Sequence, residues 1–513
     1  EMKTKSKTAF NGVVVLTAAL IIIKILSALY RVPYQNILGD SGLYAYQQVY
    51  PLLALGGILS ATAIPSAITQ IFEAERSSAR YTRMLLVVQT LGISLFIIYF
   101  ICAPWLTRLM GDPSLTTILR VASASFLFIG ILGVCRAYYQ SAQNMNPPAI
   151  SQVIEQLIRV SIIFIAIGCF VKQDWTVYQA ATLSIGGSVI GALGASVFFI
   201  LRRPFKLTLT EETRTPIEWR HFFLAVVIFS VSQILVLLWQ IVDSFTVIRL
   251  LKAVGVPFKE AIEQKGIFDR GPSFIQMGLI ITTTFSFVLL PLLSKAVREE
   301  EHHLVSRYTN ASLKVTILIS TAAGVGLINL LPSLNIVFFE NNSLPGTLSV
   351  FMLTVICVSL IMMDIALLQV KQQEKTVLIG LGVGLCSKII GNLVLIPMIH
   401  TLGLSVSTVL SLAIFAGILH RKVMQLYPLH RMKAFVSKLI LVMIGMTIVV
   451  QVLMFCFPIH GRISGLITLI ISALAGIITT VILVVKLRLL SYKEVKHLPF
   501  GDKLYQYKRG RRQ

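Results

Sequence analysis

The chain has 513 residues, 56% of them hydrophobic and only 13% charged, with a mean hydropathy of +0.82. A soluble domain carries about a quarter charged residues, so the composition excludes one and points to a multi-pass membrane protein. The net charge of +23 does not point to nucleic acid, because the basic residues fall in short loops and in the tail "YKRGRRQ", as the positive-inside pattern requires.

Runs of about 20 apolar residues predict an all-α fold of about 14 transmembrane helices, with cores at 8–30, 44–70, 83–107, 115–141, 149–171, 176–201, 220–250, 270–294, 308–333, 347–370, 376–399, 402–420, 434–458 and 462–487. The basic start "MKTKSK" before span 1 resembles a signal peptide. The run is too long for one, Lys24 interrupts it and a second span follows directly, so it reads as a retained first helix. Lys24 and Arg31 stand seven residues apart in "IIIKILSALYRVP". That spacing returns them to nearly one helix face, two turns apart.

Arg76, Arg80 and Arg83 join spans 2 and 3, Arg202, Arg203, Lys206, Arg214 and Arg220 join spans 6 and 7, and Arg421, Lys422, Arg431 and Lys433 join spans 12 and 13. The alternate loops "GDPS", "ENNSLPG" and "HTLG" are nearly free of cations, which predicts both termini on the cytoplasmic side. Residues 251–269 are then an external loop. There Lys252, Lys259 and Lys265 interleave with Glu260 and Glu263, the pattern of an amphipathic surface helix.

The chain repeats itself. "AIPSAITQIFEAE" echoes "LLPLLSKAVREE", with Pro65 on Pro291 and Glu73 on Glu299; Gln140 and Gln143 fall on Gln369 and Gln372, and Arg159 on Lys388. This steady offset predicts two six-helix lobes, 1–203 and 220–420, joined by a cytoplasmic linker at 204–219, with 421–513 adding two helices and a basic tail. Two parallel repeats are a transporter plan with the substrate path between lobes.

Charges at mid-bilayer cost roughly 2.5–3.5 kcal/mol each and usually face a cavity or a partner. The candidates are Lys24, Arg31, Arg136, Glu155, Arg159, Asp243, Asp269, Arg270, Asp364 and Lys388. Each has a plainer alternative. Arg31, near the outer end of span 1, can snorkel; Glu155 and Arg159 can neutralise each other at i,i+4; Arg136 fits the cytoplasmic rim. Asp269 can cap the helix that Gly271 and Pro272 begin. Asp364 has no evident partner. On the functional reading Lys24, Arg31 and Arg270 face one path with Asp269, Arg159 and Lys388, and cations outnumber anions there. Such a path suits a phosphate or pyrophosphate.

"KILSALYRVPYQNILGDSGLYAYQQVYP", "DRGPSFIQMGLIITTTFSFVLLPLLSK" and the 6+6+2 layout resemble the MOP flippase superfamily. Within it the likeness is to the polysaccharide-exporter branch, which includes the stage V sporulation protein B family and MurJ-type lipid II flippases. The resemblance implies a V-shaped pair of lobes that moves an undecaprenyl-pyrophosphate-linked saccharide across a bacterial cell membrane by alternating access. It implies a transporter rather than an enzyme, a monomer, and as partners the lipid-linked substrate and membrane lipids. Its paired cations match Lys24 and Arg31, and its Asp-Arg matches Asp269 and Arg270. It also implies a coupling monovalent cation, sodium or proton, held by Asp243 and Asn392 with Thr408 as a third ligand. No other cofactor is expected. This chain departs from the MurJ pattern in lacking an arginine in span 2 and in carrying Ser273 and Ile396 where acids are expected. The rival within the superfamily is a drug/cation antiporter, which calls for acids along the path.

Overall fold

The computed structural model describes residues 18, 21–23, 25–27, 30–72, 77–209, 216–286, 289–491 and 494. Among them every element is helical. In chain order they are α1 (Arg31–Gln47), α2 (Tyr50–Phe72), α3 (Ser78–Met110), α4 (Pro113–Ser141), α5 (Asn146–Lys172), α6 (Val177–Arg202), α7 (Trp219–Ala253), α8 (Phe258–Phe268), α9 (Gly271–Ser286), α10 (Leu290–Arg298), α11 (His302–Phe339), α12 (Pro345–Val370), α13 (Glu374–Leu426), α14 (Met432–Cys456) and α15 (Arg462–Lys486). Eleven helices among the described residues are long and apolar enough to cross a membrane. Most of span 1 lies outside the described residues, and spans 11 and 12 are both contained in α13. At 53 residues α13 is too long for one crossing, and it breaks at Ile399 and His400 (φ 51°) into two membrane-length halves.

Two compact units divide between Asp269 and Arg270. Thus α7 and α8 belong to the first unit, whereas the sequence reading begins the second lobe at 220. The reason is visible in the packing of α7 on the α1–α2 junction. The Gln48 amide donates to the Ser244 carbonyl at 2.7 Å, and the Ser244 hydroxyl returns a bond to the Gln48 carbonyl at 2.9 Å.

Helix α1 breaks at Gly39, whose φ of 76° is a left-handed conformation that suits glycine. Helical geometry runs from Arg31 to Leu38 before that break, so Arg31 lies about two turns from it. It is only 4% exposed, so the snorkelling alternative for Arg31 is wrong: the side chain is buried in protein. In α2, residues Leu59–Ala63 form a π-turn just before Pro65. Proline removes a backbone donor and crowds the preceding turn, and a widened turn accommodates both.

Helix α8 is amphipathic, as expected, but Lys265 is not on its exposed face. Lys265 is 3% exposed, beside buried Ala261 and Ile262. The helix seats on α1 at Gly266, where an added Cβ would lie 2.0 Å from the Asp40 carbonyl oxygen. Gly266→Ala is expected to destabilise the chain by about 1–3 kcal/mol through overpacking. Gly57→Ala, with nothing within 4 Å of its Cβ, is the matched control in thermal unfolding.

The sequence offset recurs in the backbone. Gln143 ends α4 at φ 57° and Gln372 ends α12 at φ 54°, with the same pair of closing bonds: Gln143 to Gln140 and Asn144 to Tyr139, then Gln372 to Gln369 and Gln373 to Leu368. Helices α3 and α11 likewise carry internal Pro104 and Pro332, and left-handed caps at Gly111 and Glu340.

In the second unit α14 and α15 pack on α11 through a buried apolar seam that includes Val315, Leu318, Leu439, Val442 and Met446. Three polar clasps flank it. Asn310 donates to the Pro428 carbonyl and accepts from the His430 N–H, Lys314 binds Glu494 at 2.7 Å, and Asn329 joins Thr447 and Gln451.

Candidate functional site

Five of the chain's 15 tyrosines fall between residues 30 and 50, and three of them, Tyr30, Tyr46 and Tyr50, build the surroundings of two arginines in the first unit. The Tyr30 and Tyr46 hydroxyls bond each other at 3.0 Å, and both accept from Arg159 Nη2 at 2.8 Å. Tyr46 stacks on Tyr50 at 5.6 Å. The Tyr50 ring then takes two cations, the Arg31 guanidinium at 5.5 Å and that of Arg159 at 5.1 Å from its centroid. The Tyr30 ring does the same at 5.9 and 5.2 Å. Gln156 steadies the base of the cluster by donating to Ser27 Oγ at 3.0 Å.

Among the described residues neither guanidinium has a carboxylate within ion-pair distance. The Nε of each lacks a hydrogen-bond partner there. Desolvated cation–π contacts contribute about 2 kcal/mol each, which offsets part of the burial cost without neutralising the charge. The cage therefore holds two positive charges whose donors are not used up by the protein. Such a cluster is built to receive an anion.

The expected i,i+4 neutralisation of Arg159 by Glu155 is wrong. Glu155 turns to Arg136 of α4, 2.9 Å away. Arg136 is wholly buried in protein and also donates to Ser151 at 2.9 Å and Ser60 at 3.5 Å. Asp269 does not cap α9. It ends α8 and accepts from Lys265 Nζ at 2.5 Å, both groups being buried. Its carboxylate also lies in the field of Asp243 and Arg31, so these residues share one neighbourhood of the first unit. Lys24 lies outside the described residues.

Arg270 opens the second unit and is wholly buried. Its Nη1 donates to Asn341 Oδ1 at 2.9 Å and to the Asn341 carbonyl and Asn335 Oδ1 at 3.4 Å, and its guanidinium lies over Phe339 at 5.2 Å. A cation at the C-terminal end of α11 also complements the helix dipole. Lys388 is buried in α13 and donates to Thr408 Oγ1 at 2.7 Å, while that hydroxyl bonds the Leu404 carbonyl. A hydroxyl already accepting from an ammonium does not fit a ligand for a second cation, so no coupling step is derived through Thr408. Asn392 is buried one turn beyond Lys388, and Asp243 belongs to the first unit.

Sequence reasoning missed Tyr30, Tyr46 and Tyr50, although the tyrosine density was a signal. It also left Asp364 without a partner, which the structure supplies as His420.

Residues 9–297 match the polysaccharide biosynthesis protein family. The chain is 30% identical to an uncharacterized membrane protein, YabM, of Bacillus subtilis (strain 168), over 98% of this chain and 97% of that one. It is 22% identical to the lipid II flippase MurJ of the same organism, over 79% and 80%. A solved structure of lipid II flippase MurJ in an inward closed conformation superposes with a TM-score of 0.70 at 16% identity, covering 93% of this chain and all of the other. The chain thus belongs to the polysaccharide biosynthesis protein family and has a MurJ-like membrane fold.

Proposed function

We propose that the chain moves an undecaprenyl-pyrophosphate-linked saccharide from the inner to the outer leaflet by alternating access, with the pyrophosphate held by the Arg31–Arg159 cage. The observation that carries this reading is the pair of buried guanidiniums with tyrosines around them and, among the described residues, no carboxylate within ion-pair distance of either. An anion entering that cage gains charge-assisted bonds and removes the like-charge burden the protein carries without it. Family membership and the flippase named among the relatives support the same reading. A drug/cation antiporter fits less well, because an organic cation would meet two arginines first. Lys24, on the same stripe as Arg31, and Arg270 are assigned to later contacts of the same substrate along the path.

Depletion of the protein is expected to make a lipid-linked saccharide intermediate accumulate in the inner leaflet, read by leaflet-selective labelling of the extracted lipid. Unchanged intermediate pools on depletion, with loss of resistance to an organic cation instead, would replace this reading by the antiporter.

A further inference from the structure

Among the buried ionisable pairs that the function above leaves unused, one joins an aspartate to a histidine. Asp364 of α12 is wholly buried, and His420 of α13 lies against it, Nδ1 standing 3.2 Å from Oδ2 and 3.4 Å from Oδ1. The imidazole keeps 22% of its surface exposed, so one face of the pair opens outward and the other is sealed. Each residue sits six positions before the end of its helix, at Val370 and Leu426.

A carboxylate in an apolar bundle needs a counter-charge or a proton. Among the described residues no lysine or arginine lies within ion-pair distance of Asp364. Helix α9 and residues Pro345–Met352 of α12 carry no ionisable side chain. Among the described residues Asp364 makes its ion pair with His420, while Lys295 of α10 is directed to Glu299. Lys314 is committed to Glu494, and the nearby Tyr427 hydroxyl donates to the Leu367 carbonyl. What neutralises Asp364 is therefore a proton, carried on its own oxygen or on the imidazole.

We propose that Asp364 and His420 form a proton-binding site within the second unit, and that its occupancy is coupled to the transport cycle. The coupling clause rests on the transporter reading; the site itself does not. The proton comes from solvent at the exposed edge of His420 and returns there, so no other group is consumed. With the proton bound, a charge-assisted N–H bond to the carboxylate pins α12 to α13 near their ends. With it gone, the neutral imidazole keeps a single N–H toward the carboxylate, so the clasp falls from a charge-assisted bond to an ordinary one and the buried anion loses its counter-charge. Histidine is the side chain suited to make this change near neutral pH.

The test is pH-difference infrared spectroscopy on the purified full-length chain in lipid, with isotope-labelled histidine. Between about pH 5 and 8, the wild type is expected to take up roughly one proton with a labelled-ring or carboxyl band. Asp364→Asn and His420→Gln should each lack that band while still melting cooperatively. Identical difference spectra in all three proteins would overturn the proton site. If Asp364→Asn does not fold, His420→Gln, which keeps a donor for the carboxylate, decides the question alone. Export is measured in parallel: a change of about tenfold across that range in the wild type should flatten to below about twofold in His420→Gln. A flat wild-type export profile overturns the coupling. Bands as expected with no export of any lipid-linked saccharide would keep the site and sink the transport reading, whereas export with invariant spectra would do the reverse.

Discussion

Replacing Arg31 or Arg159 by alanine is expected to abolish transport while leaving the chain in the membrane at its normal abundance. Among the described residues both guanidiniums meet tyrosines and neither has a carboxylate within ion-pair distance, so removing either breaks no ion pair. A charge-assisted contact contributes roughly 1.5–3 kcal/mol, and losing one weakens anion binding about tenfold or more. Arg31→Lys keeps the charge but loses the planar stacking on Tyr30 and Tyr50, so partial activity is expected. Tyr46→Phe deletes one acceptor of Arg159 and should cost about 0.5–1.5 kcal/mol, a milder defect than either arginine loss. Complementation at matched membrane abundance is the measurement. Full activity in both alanine variants would refute the anion cage.

The second large effect is on stability. Glu155→Ala leaves Arg136 wholly buried with only Ser151 and Ser60 as acceptors. Removing one partner of a buried ion pair costs about 3–5 kcal/mol, and the thermal transition in detergent should fall accordingly. Replacing both members, as Arg136→Met with Glu155→Met, removes the charge and its desolvation cost together and should recover most of the loss. A single variant as stable as the wild type would show that Arg136 finds other compensation.

These two clusters show what the sequence could and could not convey. Apolar run lengths placed the helices, because a membrane permits few alternatives to a helix of about 20 residues. The repeat was legible down to Gln143 and Gln372, whose matched left-handed turns come from matched local sequence. Partner choice was not legible. Spacing along α5 offered Arg159 to Glu155, but Glu155 faces α4 and takes Arg136, 19 residues earlier. Asp364 finds His420 56 residues later. Intramembrane charges are matched by which helix faces meet, and no local rule encodes that. Lys265 was misjudged for the same reason: its helix was read correctly, and its partner Asp269 lay one turn away on the buried side.

Helix α11 is a rod held by polar clasps. It is 38 residues long, or about 57 Å at 1.5 Å per residue, and it is gripped along most of that length. Asn310 and Lys314 hold it at one end, Asn329 about three quarters of the way along, and Asn335 reaches the Arg270 guanidinium near the other end. A rod clasped at that many stations cannot slide past α14 and α15 without breaking polar bonds in an apolar medium, where such bonds are costly to leave unmade. The last two helices are therefore cargo of α11. Any tilt of that rod carries them with it, and the lipid-facing surface they present turns through the same angle.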